Sequence, residues 1–520
     1  MTTLRLSCIG LAFCALPASL PAQEAEAPLS AIEWLDQVLA APLPEPEPAP
    51  SEAPVILAPD SGQAQSGQIA ATPLDSVEID STGLFRAERI GLPRDVWGPT
   101  PLPDILDALE NLPQDTLPRA QQLALRVLTA EFAPPWSLAP EDRGLLLAAR
   151  VEQLIARGAL EQAGQLIDAA PERTAGLNAR AFDIALLLGE EDAACARMSG
   201  QIAQDHGQAA QIFCTARRGD WPAAYASLQA AKTLGLLSGS EDAILTRFLE
   251  EEEAESLLPP PQDMTPLLWR MMEALGDSVT TANLPLAYAH ADLRGTSGWR
   301  AQLDAAERLT RAGAMQPNRL LGLYTQRRAA ASGGLWERVA AVQALEQARM
   351  ARDAEAVGGA LLRAWPLFAA VELEHALAEM MAADLAHMAL TGQAAERLWH
   401  ILLLTEEAPE RAASLAPEDE FGQFMTALAQ GSAPPDIAAS GMAGAIALGF
   451  ADEMLSDEVR QQIDNGALAM VLFDALGFIA DAVAGDQQAA TRGLQRLRAL
   501  GLDDDARQIA IELLLLERRG

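Results

Sequence analysis

The sequence predicts an all-α fold: an α-solenoid of stacked antiparallel helix hairpins, preceded by an export leader and a Pro/Glu-rich disordered tether. Three observations carry this. From about Leu102 onward Ala and Leu dominate, and Gly or Pro interrupts the chain every 12–18 residues, as between short helices. Ala recurs five residues after Gly in Gly158–Ala163, Gly189–Ala194, Gly219–Ala224, Gly485–Ala490 and Gly501–Ala506, and the first three glycines stand 31 and 30 residues apart. A fixed spacing of that length marks a repeat. Half of the 520 residues are apolar and only 21% are charged, enough apolar material for a large core.

The leader comes first. Met1–Arg5 carries one positive charge, Leu6–Leu16 is an apolar run, and Leu20-Pro21-Ala22 ends it with a small residue. That is the pattern of a signal peptide, residues 1–22, cleaved after Ala22. Eleven apolar residues are too few to cross about 30 Å of hydrocarbon. Arg-heavy usage with Lys232 as the single lysine fits a high-GC Gram-negative bacterium, so the periplasm is expected, with secretion as the alternative. Gly466–Gly485 is the most apolar later stretch, but Asp474 and Asp481 interrupt it and make it a buried helix instead of a span.

Residues 23–100 read as mostly disordered tether. Within it, residues 30–40 place Ile32, Leu35, Val38 and Leu39 on one face of a short amphipathic helix that could dock to a partner. The run Pro42–Pro48 alternates Pro with Glu and Leu, which suits an extended, charged spacer.

Beyond the tether, a first helical array is expected over 101–258 and a second over 263–520. Glu250–Glu253 followed by Pro259-Pro260-Pro261 must break any helix between them, and 431–436, holding Pro434-Pro435, is a weaker break in the second array. Within each unit, Gly ends the first helix, where a left-handed backbone has no Cβ penalty. Acidic residues after it suit the N-terminus of the next helix. Ala at Gly+5 lets the two helices approach. Large apolar residues at Gly−7 (Val151, Phe182, Ile212, Phe478) and Gly+9 (Ile167, Met198, Leu228, Leu494) fill the groove between them. One such hairpin cannot bury its apolar face alone.

Gly219-Asp220-Trp221, Ala224, Leu228 and Ala231, together with Gly158, Leu160, Ala163, Ile167 and Ala170, resemble the tetratricopeptide-repeat (TPR) family. The likeness covers Val151–Leu234 and Ala467–Leu515 and is loose between them, where Gly334-Leu335-Trp336 places Ala at +6. The chain thus resembles a degenerate TPR-like helical-repeat protein of the bacterial periplasm. The resemblance implies a concave face that binds peptides or proteins, and it implies no catalytic residue.

Once Cys8 and Cys14 leave with the signal peptide, Cys195 and Cys214 remain. They flank a turn near Asp205–Gly207 at similar heights on adjacent antiparallel helices, so a disulfide is expected. With no Cys-x-x-Cys motif, it reads as a structural staple worth about 3 kcal/mol in the chain-entropy model.

The charge, 37 Lys+Arg against 72 Asp+Glu for a net −35, argues against nucleic acid and anionic lipid as partners. One island stands out. Arg294–Arg338 holds eight arginines against Asp304, Glu307 and Glu337, with Trp299, Tyr324 and Trp336 among them. Arginine beside aromatics is the residue mix of binding hot spots, and Arg319, Tyr324, Arg327, Arg328 and Trp336 are the expected binding residues; the competing reading is that these arginines pair with acids of neighbouring helices.

Two fragments suggest chemistry. Gly313-Ala314-Met315-Gln316-Pro317 is similar to the Gly-Leu-Met-Gln motif of lytic transglycosylases, whose general-acid Glu is usually followed by Ser; here Glu307 is followed by Arg308. Glu372, His375 and Glu379 fall on one helical face, but His387 lies about 120° around from His375, so a solvated face is expected and no metal site. No cofactor is expected. The sequence is thus read as a non-enzymatic periplasmic scaffold or adaptor for envelope proteins or extended peptides. The alternative is a cell-wall or polysaccharide-acting enzyme whose solenoid positions glycan.

Overall fold

A computed structural model describes residues 78–516, apart from 199–205, 251–257, 278, 438–439 and 452–454, together with residue 518. The leader 1–22 and the helix expected at 30–40 lie outside the described residues, as does the tether up to residue 77.

The described residues form 24 α-helices and one short parallel strand pair, Phe85–Arg86 beside Ala130–Glu131. Helices adjacent in sequence pack in pairs, among them Gly207–Arg217 with Trp221–Leu234, Leu335–Ala351 with Ala354–Ala369, and Leu468–Val483 with Gln487–Ala499. Gly158, Gly189, Gly219, Gly485 and Gly501 all adopt positive φ, between 72° and 101°, and turn the chain between helices. Each alanine five residues later is buried, as are Ile167, Met198, Leu228 and Leu494 on the facing side. Phe478 departs from the pattern: it is half-buried and covered by the guanidinium of Arg496, 4.6 Å from its ring centre.

Residues 78–100, expected within the tether, are folded. Ile79 and Asp80 are buried, and the Asp80 carboxylate accepts the backbone N–H groups of Gly144 (2.6 Å) and Leu147 (2.9 Å) where the helix Leu145–Ala156 begins. Burial raises the Asp80 pKa despite those two bonds. Trp97 is 1% exposed between Phe132 and Phe473. Five large apolar residues in this stretch (Ile79, Ile90, Leu92, Val96 and Trp97) are buried in the main core, a signal that its prolines masked. Arg150, fully buried, ties the region together by donating to the carbonyls of Leu128, Thr82 and Ala130. Burial pushes its pKa down to about 10.

In a linear stack each hairpin touches only its neighbours. Here helices far apart in the chain also meet. Asp503–Leu515 packs on Pro118–Thr129, and Leu102–Glu110 lies beside Leu468–Val483. The Trp97–Gly98 turn approaches Gly466 so closely that a Cβ on Gly98 would stand 2.7 Å from a backbone carbon of Gly466. One apolar core runs from Ile79 to Leu516, and a second, smaller one gathers Phe182–Met272. The helices Gly239–Glu250 and Pro266–Ala274, on either side of Pro259–Pro261, pack against each other in that smaller core. No helix occupies residues 431–436. Among the described residues, no helix is long and apolar enough to cross a membrane.

Cys195 and Cys214 stand at disulfide distance with Cα atoms 5.1 Å apart, on the helices Glu191–Arg197 and Gly207–Arg217.

Candidate functional site

The arginine island occupies three helices, Trp299–Arg311, Pro317–Thr325 and Leu335–Ala351, and the loop 326–334 that joins the last two. Glu307 sits buried at their junction. Its carboxylate accepts the Tyr324 hydroxyl (2.6 Å) and both arms of Arg338 (2.9 and 2.5 Å). Burial pushes the Tyr324 pKa well up, and the neighbouring Glu307 charge adds to it. Tyr324 is 0% exposed, so this residue of the expected binding set is a core strut. A buried carboxylate needs such partners, since an uncompensated charge in the interior is costly.

The arginines divide accordingly. Arg294 donates to both oxygens of Glu273 at 2.6 Å, and Arg308 donates to the carbonyl of Thr281. Arg319 forms an exposed ion pair with Glu161 at 3.0 Å, a type of contact that contributes little. Arg327 and Arg328 are exposed on the loop, and among the described residues no ion pair engages them. The loop itself is anchored: the Gln343 side-chain amide donates to the carbonyls of Tyr324 (2.8 Å) and Arg327 (2.6 Å). Trp336, half-buried at the far end of the loop, packs against Trp299 with ring centres 5.2 Å apart, and Trp299 donates to the carbonyl of Leu323. The structure therefore brings Arg327, Arg328 and Trp336 onto one pinned loop and its edge. Arg319 is held elsewhere on the preceding helix, and Tyr324 lies beneath.

A second polar assembly forms where the last helix meets Pro118–Thr129. Asp505 pairs with Arg119 (2.6 Å) and with Arg126, and Glu512, fully buried, accepts the backbone N–H of Arg119 at 3.0 Å. Facing them, His375 is largely buried, with Nε2 3.1 Å from Glu379 and Nδ1 3.7 Å from Glu512; Gln122 reaches the same Nε2 at 3.4 Å. The face expected to be solvated is only partly so: Glu379 stays exposed and Glu372 half-buried, while His375 is largely covered. Glu512 of the helix Asp503–Leu515 and Gln122 of Pro118–Thr129 reach the His375 imidazole, contacts no local pattern encodes. Burial alone would lower the His375 pKa, but the hydrogen bond to Glu379 and the charge of Glu512 hold it above its ordinary value. Burial pushes Glu512 up to about 6, whereas the hydrogen bond with His375 holds Glu379 below its ordinary value although burial opposes this.

His375 and Glu379 also line a small pocket of about 130 Å³ with Glu372, Thr310, Arg311 and the segment containing Gly313 and Met315–Pro317. Glu372 precedes the helix and adopts a φ of 57°. Two fragments that are 55 residues or more apart in the chain thus share one cavity. Exposed His387 lies beyond the helix end. Among the described residues, no group of three or more His, Cys, Asp or Glu is placed to hold a metal ion. Sequence reasoning missed Arg119, Arg126, Asp505 and Glu512; partners separated by 379–393 residues leave no signal in spacing.

No family model matches this chain, and no curated protein and no solved structure does so either.

Proposed function

We propose that this protein is a non-enzymatic scaffold or adaptor of the Gram-negative periplasm, exported by a signal peptide cleaved after Ala22, that binds protein or extended-peptide partners in an envelope assembly. Its hairpins are read as degenerate TPR-like repeats. The observation that carries the proposal is the pinned loop: two exposed arginines, Arg327 and Arg328, engage no ion pair among the described residues, and a tryptophan pair stands at the loop's edge. A chain of net −35 that keeps such cations exposed presents a ready site for a carboxylate-bearing partner. Trp336, and Arg319 once released from Glu161, extend that surface. The apposition of Cys195 and Cys214 supports an oxidising compartment. The test is charge reversal, Arg327→Glu with Arg328→Glu, followed by crosslinking in the native envelope. Loss of the wild-type partners is expected, and recovery of the same set overturns the reading.

The alternative, a cell-wall or polysaccharide-acting enzyme similar to lytic transglycosylases, draws on the pocket that gathers Glu372, His375 and Glu379 beside Met315–Pro317. Zymography on purified peptidoglycan separates the two. The adaptor gives no clearing, whereas clearing that Glu379→Gln abolishes supports the enzyme.

A further inference from the structure

A further cleft lies beside the second assembly, which it meets at Glu406, 4.0 Å from Arg119. It measures about 440 Å³, within the range of small-molecule sites, and is walled by the helices Gln393–Thr405, Pro409–Leu415, Glu420–Ala429 and Asp503–Leu515. Trp399, Leu402, Leu403 and Ile511 make its walls apolar. The rim is a turn in which two non-glycine residues, Glu406 (φ 55°) and Ala408 (φ 47°), hold left-handed backbone. Such conformations are unfavourable and persist where surrounding structure enforces them, typically at ligand sites. In this turn Glu406 is paired with Arg507 at 3.3 Å, and Arg507 also pairs with Asp504.

Two polar groups in the walls are unmatched. Trp399 is 1% exposed, and its indole N–H has no acceptor. Gln508 is 2% exposed; its NH₂ donates to the carbonyls of Leu403 (3.2 Å) and Leu404 (2.8 Å), which fixes the amide orientation and leaves its carbonyl oxygen without a donor. A buried donor and a buried acceptor left unmatched on two helices that line one cleft are costly, and a ligand carrying the complementary pair recovers that cost. An amide group is such a pair, a C=O for the indole and an N–H for Gln508. Charge narrows the class further. Arg507 and Glu406 offset each other, which leaves the Glu410 carboxylate on the lining, so an anion is disfavoured. We propose that this cleft binds a neutral small molecule that joins an amide group to an apolar body the size of a leucine or phenylalanine side chain. Both residues line the cleft while their unmatched atoms are buried, so binding requires the Trp399 and Gln508 side chains to turn toward the ligand.

The probe is N-acetyl-leucinamide, titrated into the ¹⁵N-labelled full chain while the indole N–H resonances of its nine tryptophans are followed. Trp399 is assigned by its loss in Trp399→Phe. The expected result is a saturable shift of the Trp399 resonance. Binding should be about tenfold weaker for isoamyl acetate, an ester lacking the N–H, and absent for the N-acetyl-leucine anion. Ala429→Phe, at the half-buried rim, fills the cleft and should abolish the shift while the melting temperature is held. An unmoved Trp399 resonance overturns the proposal, as does an undiminished shift in folded Ala429→Phe or equal binding of the anion. Should Ala429→Phe fail to fold, Gln508→Leu decides: it should erase the amide's advantage over the ester, and an unchanged ratio sinks the assignment.

Discussion

The C-terminal hairpin and the Arg294–Arg338 segment are both helical and both buried at their centres, yet opposite means hold them together. In the hairpin, Leu468–Val483 and Gln487–Ala499 meet across small residues. Ala490 is buried, and a Cβ on Gly493 would stand 2.8 Å from Ile479. Asp486 starts the second helix by accepting the N–H groups of Gln488 and Ala489. In the segment, a carboxylate buried among helices is neutralised by Arg338 and Tyr324, 31 and 17 residues away. The first design uses contact and dispersion, which need only the right size. The second uses charge, which must be matched completely or else destabilises.

That contrast is sharpest when one partner is removed. Arg338→Ala leaves the buried Glu307 carboxyl without its cation, and a loss of about 3–5 kcal/mol is expected in chemical unfolding. The double variant Glu307→Leu with Arg338→Met should recover most of it, because an apolar replacement of a buried pair is often neutral. If Arg338→Ala costs no more than an ordinary surface change, the segment is held by packing after all, and the comparison fails.

The same contrast explains what could be read from the sequence. The helix-ending glycines, the alanines five residues on, and the large apolar residues at Gly−7 and Gly+9 were legible because a hairpin is a local object with a fixed period. The cysteine pair was legible for the same reason. The island's arginines were visible as charge, but sequence could not show that Arg294 and Arg338 point at acids and Arg327 and Arg328 do not, since Glu273 and Glu307 become their partners only through tertiary packing. Tyr324 was grouped with the binding residues, although it is buried, because an aromatic between arginines looks the same whether it faces solvent or the core. The apposition of Asp503–Leu515 and Pro118–Thr129 left no trace, and neither did the Trp399 cleft, where Gln508 meets Leu403 from 105 residues away.

The closing assembly gives a pH-dependent version of the comparison. Folding raises the Glu512 pKa from 4.5 to about 6, so the folded chain binds that proton more tightly than the unfolded one. The associated stability is present below 4.5 and is lost as pH rises through 6. His375, raised above 6.5, acts with the same sign at higher pH, whereas Glu379, held low, loses its contribution only as pH falls below its ordinary value. Arg119, Arg518 and Gln122 also face this group. Relative to Glu512→Gln, the wild type should therefore lose about 2 kcal/mol between pH 4.5 and 6.5. Urea unfolding at a series of pH values measures this, and parallel profiles for the two proteins would remove Glu512 from the account.

The smallest expected effect joins the two regions at a pair of glycines. Gly501 (φ 76°) has open space where a Cβ would go, so Gly501→Ala carries only the cost of left-handed backbone, about 1 kcal/mol. Gly501→Asn should cost less, because Asn tolerates that conformation. Gly189 (φ 82°) has the same backbone, but a Cβ there would stand 2.9 Å from Cδ of Arg294. Arg294 is the arginine that holds Glu273. Gly189→Ala therefore carries the backbone cost and also pushes on the ion pair. The side chain is long enough to yield, so the added loss is under about 1 kcal/mol, the worth of a partly exposed pair. In the Arg294→Ala background that increment should vanish, leaving Gly189→Ala and Gly501→Ala equal in thermal melts. An increment that survives the loss of Arg294 would mean that the hairpin turn and the charged segment are independent.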